Sequence, residues 1–194
     1  IKKEKNIIIL DMVDVYRNLG EKLKLAYQWI YRKYGKKYVL KVDLDTFVRV
    51  SSVENIIKDR DKKYECIVGG IQQGSVNRKG KWAEKKYKKD IYPPFPSGAG
   101  HIISPDLLEY INTHDFIVYQ GEDTSLGIFF DESDIKVDFS VSKHITTHSG
   151  DCFNKNKFII GHDINPSKMR QCYKHMDEFD TLNKEFIYED KEWK

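Results

Sequence analysis

Cysteine is scarce in this 194-residue chain, which holds only Cys66, Cys152 and Cys172. No two of them stand at C-x-x-C spacing, which argues against a structural zinc site. Three thiols close at most one internal disulfide. Cys152 and Cys172 could pair in an oxidising compartment, whereas Cys66, inside the run Cys66-Ile67-Val68, reads as a buried core thiol. Long apolar runs are lacking too: no stretch suffices to span a membrane, and no signal peptide is visible. No N-glycosylation sequon exists, because proline spoils Asn165-Pro166-Ser167. Nor does one sign of charge prevail. The 33 Lys and Arg against 30 Asp and Glu leave a formal net charge of +3. The cluster Lys85-Lys86 and Lys88-Lys89 is interleaved with Glu84 and Asp90 and reads as a solvated face, so nucleic acid is not an expected partner. Repeats, low-complexity segments and an obvious internal linker are absent.

The composition, 40% hydrophobic and 13% aromatic, suits one globular domain with a sizeable core. The chain starts at Ile1, inside what reads as secondary structure, so it is expected to be a piece of a longer protein. The apolar run 6–10 predicts an interior strand. Leu19, Leu23, Ala26, Tyr27, Ile30 and Tyr34 recur at helical spacing and predict a helix over 15–34, stopped by Gly35. A strand over 38–42 would complete a β-α-β unit. Ser51-x-x-Glu54 reads as a capping box opening a helix through Ile57. Residues 66–72 read as a strand, 74–96 as a hairpin plus loop, and Ile102-Ile103 as a strand end. Ser104-Pro105 looks like an N-cap with proline at the first helical position. A helix over 122–130, strands over 135–139 and 158–160, a helix from Pro166 through Met176 and a charged tail over 181–194 complete the reading.

The strand over 38–42 runs into Lys41-Val42-Asp43-Leu44-Asp45-Thr46-Phe47. Asp43 and Asp45 would emerge at the C-terminal end of the strand, the edge of an open α/β sheet where ligands bind. Two carboxylates there can hold a hard divalent cation, and the cation a diphosphate. Asp-x-Asp is also common on solvated loops, and the pair alone does not separate the two readings.

Five segments in order decide more. They are Asp11-Met12-Val13-Asp14-Val15-Tyr16-Arg17-Asn18-Leu19 with Lys22 and Trp29; the Lys41–Phe47 segment; Tyr92-Pro93-Pro94-Phe95-Pro96-Ser97-Gly98-Ala99-Gly100-His101; Glu122-Asp123-Thr124-Ser125-Leu126-Gly127; and His162-Asp163-Ile164-Asn165-Pro166-Ser167-Lys168-Met169. In content, order and spacing they resemble the β-1,3-galactosyltransferase family, glycosyltransferase family 31, which also holds β-1,3-N-acetylglucosaminyltransferases and, more distantly, the Fringe proteins.

The resemblance implies an α/β GT-A fold over 1–180, a Rossmann-like mixed sheet with helices on both faces, partial at its N-terminus. It implies an inverting, Mn²⁺-dependent transferase that moves a hexose, galactose first, from a UDP-sugar to a glycan acceptor on a glycoprotein or glycolipid. By resemblance Asp45 and His162 ligate the metal and Asp43 assists. Mixed imidazole and carboxylate ligation suits Mn²⁺ better than Ca²⁺. Asp123 matches the general base that takes the acceptor proton; an acidic pair opening a helix is equally a capping pattern. Glu122 would lie near the sugar, and Lys41 counts among the donor- or acceptor-binding residues. Gly98 and Gly100 would let backbone approach the donor, or simply form a turn. Trp82, Tyr92 and Phe95 read either as a platform for a sugar face or as loop-to-core anchors. His114, His144, His148 and His175 carry no motif and read as structural or surface, and Tyr27 and Trp29 as packing. Members usually face the Golgi lumen from a type II anchor, here expected upstream of Ile1.

Four residues depart from the family pattern: Leu44 replaces the middle acid of the metal motif, Pro96 a cysteine, Gly20 a threonine and His101 a tyrosine. The family's first strand and uracil-binding segment are expected upstream. Leu44 and that expectation motivate a rival, a glycan- or nucleotide-binding relative without turnover. Transfer of N-acetylglucosamine or N-acetylgalactosamine is the other alternative.

Overall fold

The computed structural model describes residues 2–4, 7–147 and 159–180. Strands β1 (Lys2–Glu4) and β2 (Ile7–Ile9) form an antiparallel pair of their own. Ile7 is 63% exposed and Ile9 45%. The interior strand expected here is therefore a surface hairpin, and the β-α-β unit built on it is not formed. An apolar run signals a strand but not what covers it. A 3-10 turn over Tyr16–Asn18 leads into α1 (Leu19–Tyr34), which starts four residues later than the periodicity predicts. Leu23 and Tyr27 are its buried stripe, and Gly35 ends it at φ 67°.

Strand β3 (Val39–Val42) and the carboxylate turn lead to β4 (Phe47–Val48) and α2 (Val50–Ile57). The expected capping box is absent. The Arg49 carbonyl already accepts from Val53 N at 3.1 Å, so the helix opens before Ser51. The strand expected over 66–72 is two strands, β5 (Glu65–Val68) and β6 (Ile71–Gln72). Between them Gly69 packs so closely on the later chain that a Cβ would lie 2.2 Å from Ile145 O. Residues 74–94 form a loop closed by one bridge, Ser75 to Ile91, before β7 (Phe95–Pro96), which pairs with β6. Strand β8 (Gly100–Ile103) feeds α3 (Pro105–Thr113), where Ser104 Oγ accepts from Leu107 N, as the N-cap reading expects. Next come α4 (Glu122–Asp131), β9 (Asp138–Val141), β10 (Ile145–Thr146), β11 (Ile160–Gly161) and α5 (Pro166–Asp180). The two late strands thus lie slightly beyond their predicted ranges, Phe158 being outside the described residues.

The central sheet has the order β3-β8-β5-β9, with β8 antiparallel to both neighbours and β9 parallel to β5. Strand alternation splits its side chains between two cores. Val39, Cys66, Val68 and Ile103 pack against α1, α3 and α4 through Leu23, Tyr27, Leu107, Leu108 and Leu126. Ile67 and Ile102 meet Val53 and Ile56 of α2 together with Ile145 and Ile160. The latter two belong to a small sheet of order β10-β11-β4. Helices thus cover both faces of a mixed sheet, as expected, with the small sheet sharing one face. Cys66 is the core thiol expected, fully buried and pushed up by that burial. Cys172 is disulfide-bonded. Cys152, His148 and the tail 181–194 lie outside the described residues, as does the His175 side chain.

Helix α4 sits on β7 without clearance: a Cβ on Gly127 would lie 2.4 Å from Phe95 Cβ and 2.8 Å from Pro94 O. Neither neighbour can swing away. Gly127→Ala is expected to destabilise the fold by about 1–3 kcal/mol, the usual range for overpacking. Urea unfolding reads this as a lowered midpoint; an unchanged midpoint would mean that α4 can slide off β7.

Candidate active site

Alternation along β3 turns Lys41 toward the α1–α4 face, opposite His101 in the register with β8. Its ammonium donates to Asp43 Oδ1 at 2.8 Å, to Glu122 Oε1 at 3.1 Å and to the Gly98 carbonyl. Three donors meet three acceptors. Expected as a ligand-binding residue, Lys41 is instead committed to protein partners from three segments. Burial would pull the ammonium down, but Glu122 and Asp43 outweigh it and hold the pKa above the usual lysine range. Beside it His101 is fully buried with Nε2 2.7 Å from Tyr27 OH, and burial aided by the Lys41 charge drops it to about 3. The histidine that replaces the family's tyrosine is thus a neutral core residue.

Beyond β3 the chain turns, Thr46 N donating to Asp43 O at 3.1 Å. Both carboxylates stay partly exposed, while Leu44 between them points wholly into solvent. The antiparallel pairing of β11 with β4 sets Gly161 opposite Phe47, and Ile164 N donates to Asp45 O at 2.9 Å. That register delivers His162, whose Nε2 lies 3.4 Å from Asp45 Oδ1 and 3.7 Å from Asp43 Oδ2. Both separations exceed a good N–H···O bond. The three groups offer ligand atoms that all lie within 4.8 Å of one another. Two oxygens and an imidazole nitrogen spaced this way suit a divalent cation of the Mn²⁺ type. Leu44 does not disturb the cluster.

On the far side of Lys41, Glu122 and Asp123 open α4, with Gly121 as N-cap. Asp123 Oδ1 accepts from Thr124 N at 2.7 Å. Burial, then the Glu122 charge, raise Asp123 to about 6. Gly98 faces this pair: a Cβ there would stand 3.3 Å from Asp123 Oδ2 and 3.5 Å from Glu122 Oε1. Its lack of a side chain keeps the carboxylates accessible.

Other expected site residues are not brought here. Gly100 is a buried β8 residue whose Cβ would crowd Lys41 O at 3.2 Å, so strand packing rather than donor approach accounts for it. Trp82, Tyr92 and Phe95 share no platform. Tyr92 and Phe95 are buried with Val76, Tyr87 and Ile128, as anchors. Trp82 is exposed and donates from Nε1 to Tyr16 OH at 2.8 Å. Gly20, in place of threonine, lets α1 touch Val118, whose Cγ1 would lie 2.6 Å from a Cβ. His144 is buried and His114 stacks on Tyr110, in keeping with structural roles.

Sequence reasoning placed Glu84 on a solvated face. It is 1% exposed, its carboxylate accepting from the backbone amides of Lys86, Tyr87 and Gln120. Burial would raise its pKa, but those three amides outweigh it and hold it below the usual carboxylate range. The bond to Gln120 ties the basic loop to the segment just ahead of Glu122. A lone acid inside a lysine run was its only signal.

A family model, Galactosyltransferase, matches residues 1–140. Among curated proteins the chain is similar to a UDP-GalNAc:beta-1,3-N-acetylgalactosaminyltransferase 2 of Xenopus laevis, 34% identical over 128 residues, which are 64% of this chain and 26% of the relative. It is similar also to beta-1,3-galactosyltransferase 6 of Mus musculus, 26% identical over 164 residues, 80% of this chain and 49% of the relative. A hydroxyproline O-galactosyltransferase of Arabidopsis thaliana matches at 27% over 134 residues, 66% of this chain and 20% of the relative. The chain thus spans at most about half the length of these relatives. With the family match covering well over half of its length, the chain belongs to the galactosyltransferase family, glycosyltransferase family 31.

Proposed function

We propose that this chain, with residues 1–180 as one domain of GT-A architecture, forms the metal and acceptor side of an inverting β-1,3-glycosyltransferase that uses a UDP-sugar and Mn²⁺. One observation carries the reading. One lysine, Lys41, bonds both Asp43 of the cation-type cluster Asp43, Asp45 and His162 and Glu122, whose chain neighbour Asp123 is a partly buried carboxylate raised to about 6. Single displacement needs those two parts on opposite sides of a sugar. Asp45, Asp43 and His162 would hold the cation, which when bound supplies positive charge against the diphosphate leaving group. Asp123 receives the proton of the acceptor hydroxyl as that oxygen attacks. Glu122, fixed by Lys41, keeps one carboxylate oxygen for a sugar hydroxyl and sustains the basicity of Asp123. Leu44, pointing away from the cluster, gives no support to the rival without turnover.

For the donor, five relatives at 34–35% identity are named for N-acetylgalactosamine transfer, against 26–27% for those named for galactose. That ordering favours N-acetylgalactosamine over galactose. A glycan on a glycoprotein or glycolipid is the acceptor. Among the described residues no helix is long and apolar enough to cross a membrane. Placement in the Golgi lumen follows the family habit, and the Cys172 disulfide suits an oxidising compartment.

Release of UDP from UDP-N-acetylgalactosamine and UDP-galactose, with Mn²⁺ and β-linked acceptors, tests the reading in the full-length protein. Asp123→Asn is expected to cut transfer by about 10²-fold or more while UDP binding persists; unchanged turnover removes Asp123 as the base. Asp45→Ala should weaken Mn²⁺-dependent UDP binding by at least about tenfold. Equal affinity in calorimetry takes Asp45 out of the metal site. Since Asp123 must be ionised to accept a proton and its pKa is raised to about 6, kcat/KM should hold steady above that pH and fall tenfold per unit below it. A profile flat down to pH 5 would contradict this.

A further inference from the structure

A cavity of about 420 Å³ opens beside the start of α4, on a side of the molecule to which no role has been given. Its wall holds Arg17 of the 3-10 turn, Glu21 at the beginning of α1, Lys85 and Lys86 of the basic loop, and Gln120. Among the described residues no ion-pair partner stands on Arg17, Lys85 or Lys86. Glu84 also borders the cavity, but its carboxylate is committed to three backbone amides. Its negative charge still counts, so three cations stand with two acids, Glu21 and Glu84, and one positive charge is left over. The amide Nε2 of Gln120, a hydrogen-bond donor, is buried without a partner.

The wall is built rigidly. Glu84 staples Lys86, Tyr87 and Gln120 together, and the Arg78 guanidinium donates to the carbonyls of Glu84, Tyr87 and Lys89. Gly20 brings the first turn of α1 against Val118 and Tyr119. Cations held on fixed backbone with an unsatisfied amide donor among them form a preorganised anion site. Gln120 precedes Asp123 by three residues, a span of at most about 10 Å. One residue of the cavity wall therefore stands no farther than that from the proposed base.

We propose that this cavity is an acceptor subsite for an anionic sugar unit, its carboxylate, sulfate or phosphate held by Arg17, Lys85 and Lys86 with Gln120 donating to it. The subsite rests on the glycosyltransferase reading for its purpose but not for its binding chemistry. The test therefore measures binding first. Heteronuclear NMR of the full-length protein, without donor, follows titration with three β-linked disaccharides: glucuronate-terminated, 6-sulfated and neutral. Shifts are expected at Arg17, Lys85 and Gln120 for an acidic probe, at least about tenfold tighter than for the neutral one and weakening with salt. Arg17→Glu and Lys85→Glu should each abolish that preference, and Gln120→Leu should weaken it while leaving both charges in place. The ranking of the carboxylated and sulfated probes identifies which anion the site takes. Equal affinity for all three probes, or a preference that survives the charge reversals, overturns the subsite. Asp123→Asn separates the two claims: it is expected to lose transfer and keep the acidic-probe shifts. Shifts that persist while the unmodified protein shows no transfer leave the subsite standing and reject the transferase reading.

Discussion

The arrangement hangs on one buried ammonium. Lys41 is 12% exposed, and its three hydrogens are divided among the carboxylate turn, the Gly98 loop and the first turn of α4. These segments are far apart in sequence and have no other shared donor of positive charge among the described contacts. Two of its acceptors are carboxylates, those of Asp43 and Glu122, and a further acid follows each closely in the chain, Asp45 and Asp123. Without the lysine, two partly buried acids would lose their counter-charge, and a broken buried pair is far more costly than the intact pair is stabilising. Lys41 is therefore best understood as the reason these groups can share one region of the fold.

The scaffold keeps that lysine in place by close backbone approach. Gly100 lets β8 lie against β3 beneath Lys41, and Gly127 seats α4 on β7. Glu84 fixes the segment leading into α4. None of these touches the proposed reacting groups, yet each sets where Glu122 or the β3 end can stand. Rigid support of this kind is what a preorganised site requires.

Features decided by neighbours in sequence were legible beforehand. Gly35 ends α1, Ser104-Pro105 opens α3, and Glu122 starts α4, because caps and left-handed glycines act within a few residues. The Asp43–Asp45 pair was likewise visible at a strand end. What failed depended on covering surfaces. The run at 6–10 carries the pattern of an interior strand but lies on a surface hairpin, and Ser51-x-x-Glu54 lost its capping role to the Arg49 carbonyl. Tyr92 and Phe95 could not be told from a sugar platform, since an aromatic in a polar loop looks the same whether it faces outward or is buried. The proximity of His162 to the pair came only from motif likeness; periodicity contains no trace of the β11–β4 register that produces it.

The same lysine also sorts the acids into two kinds of environment. Asp43 and Asp45 are 39% and 51% exposed, face an imidazole and have room for a cation. Asp123 is held in the protein against a like charge, where ionisation is resisted and a proton is retained up to about pH 6. Divergent environments for neighbouring acids are what the proposed cation ligands and the proposed base would require of the same side-chain chemistry. The separation would collapse if Glu122 were free to swing toward Asp43. Lys41 prevents that by bonding to both at once, so the geometry that gathers the acids also keeps their environments distinct.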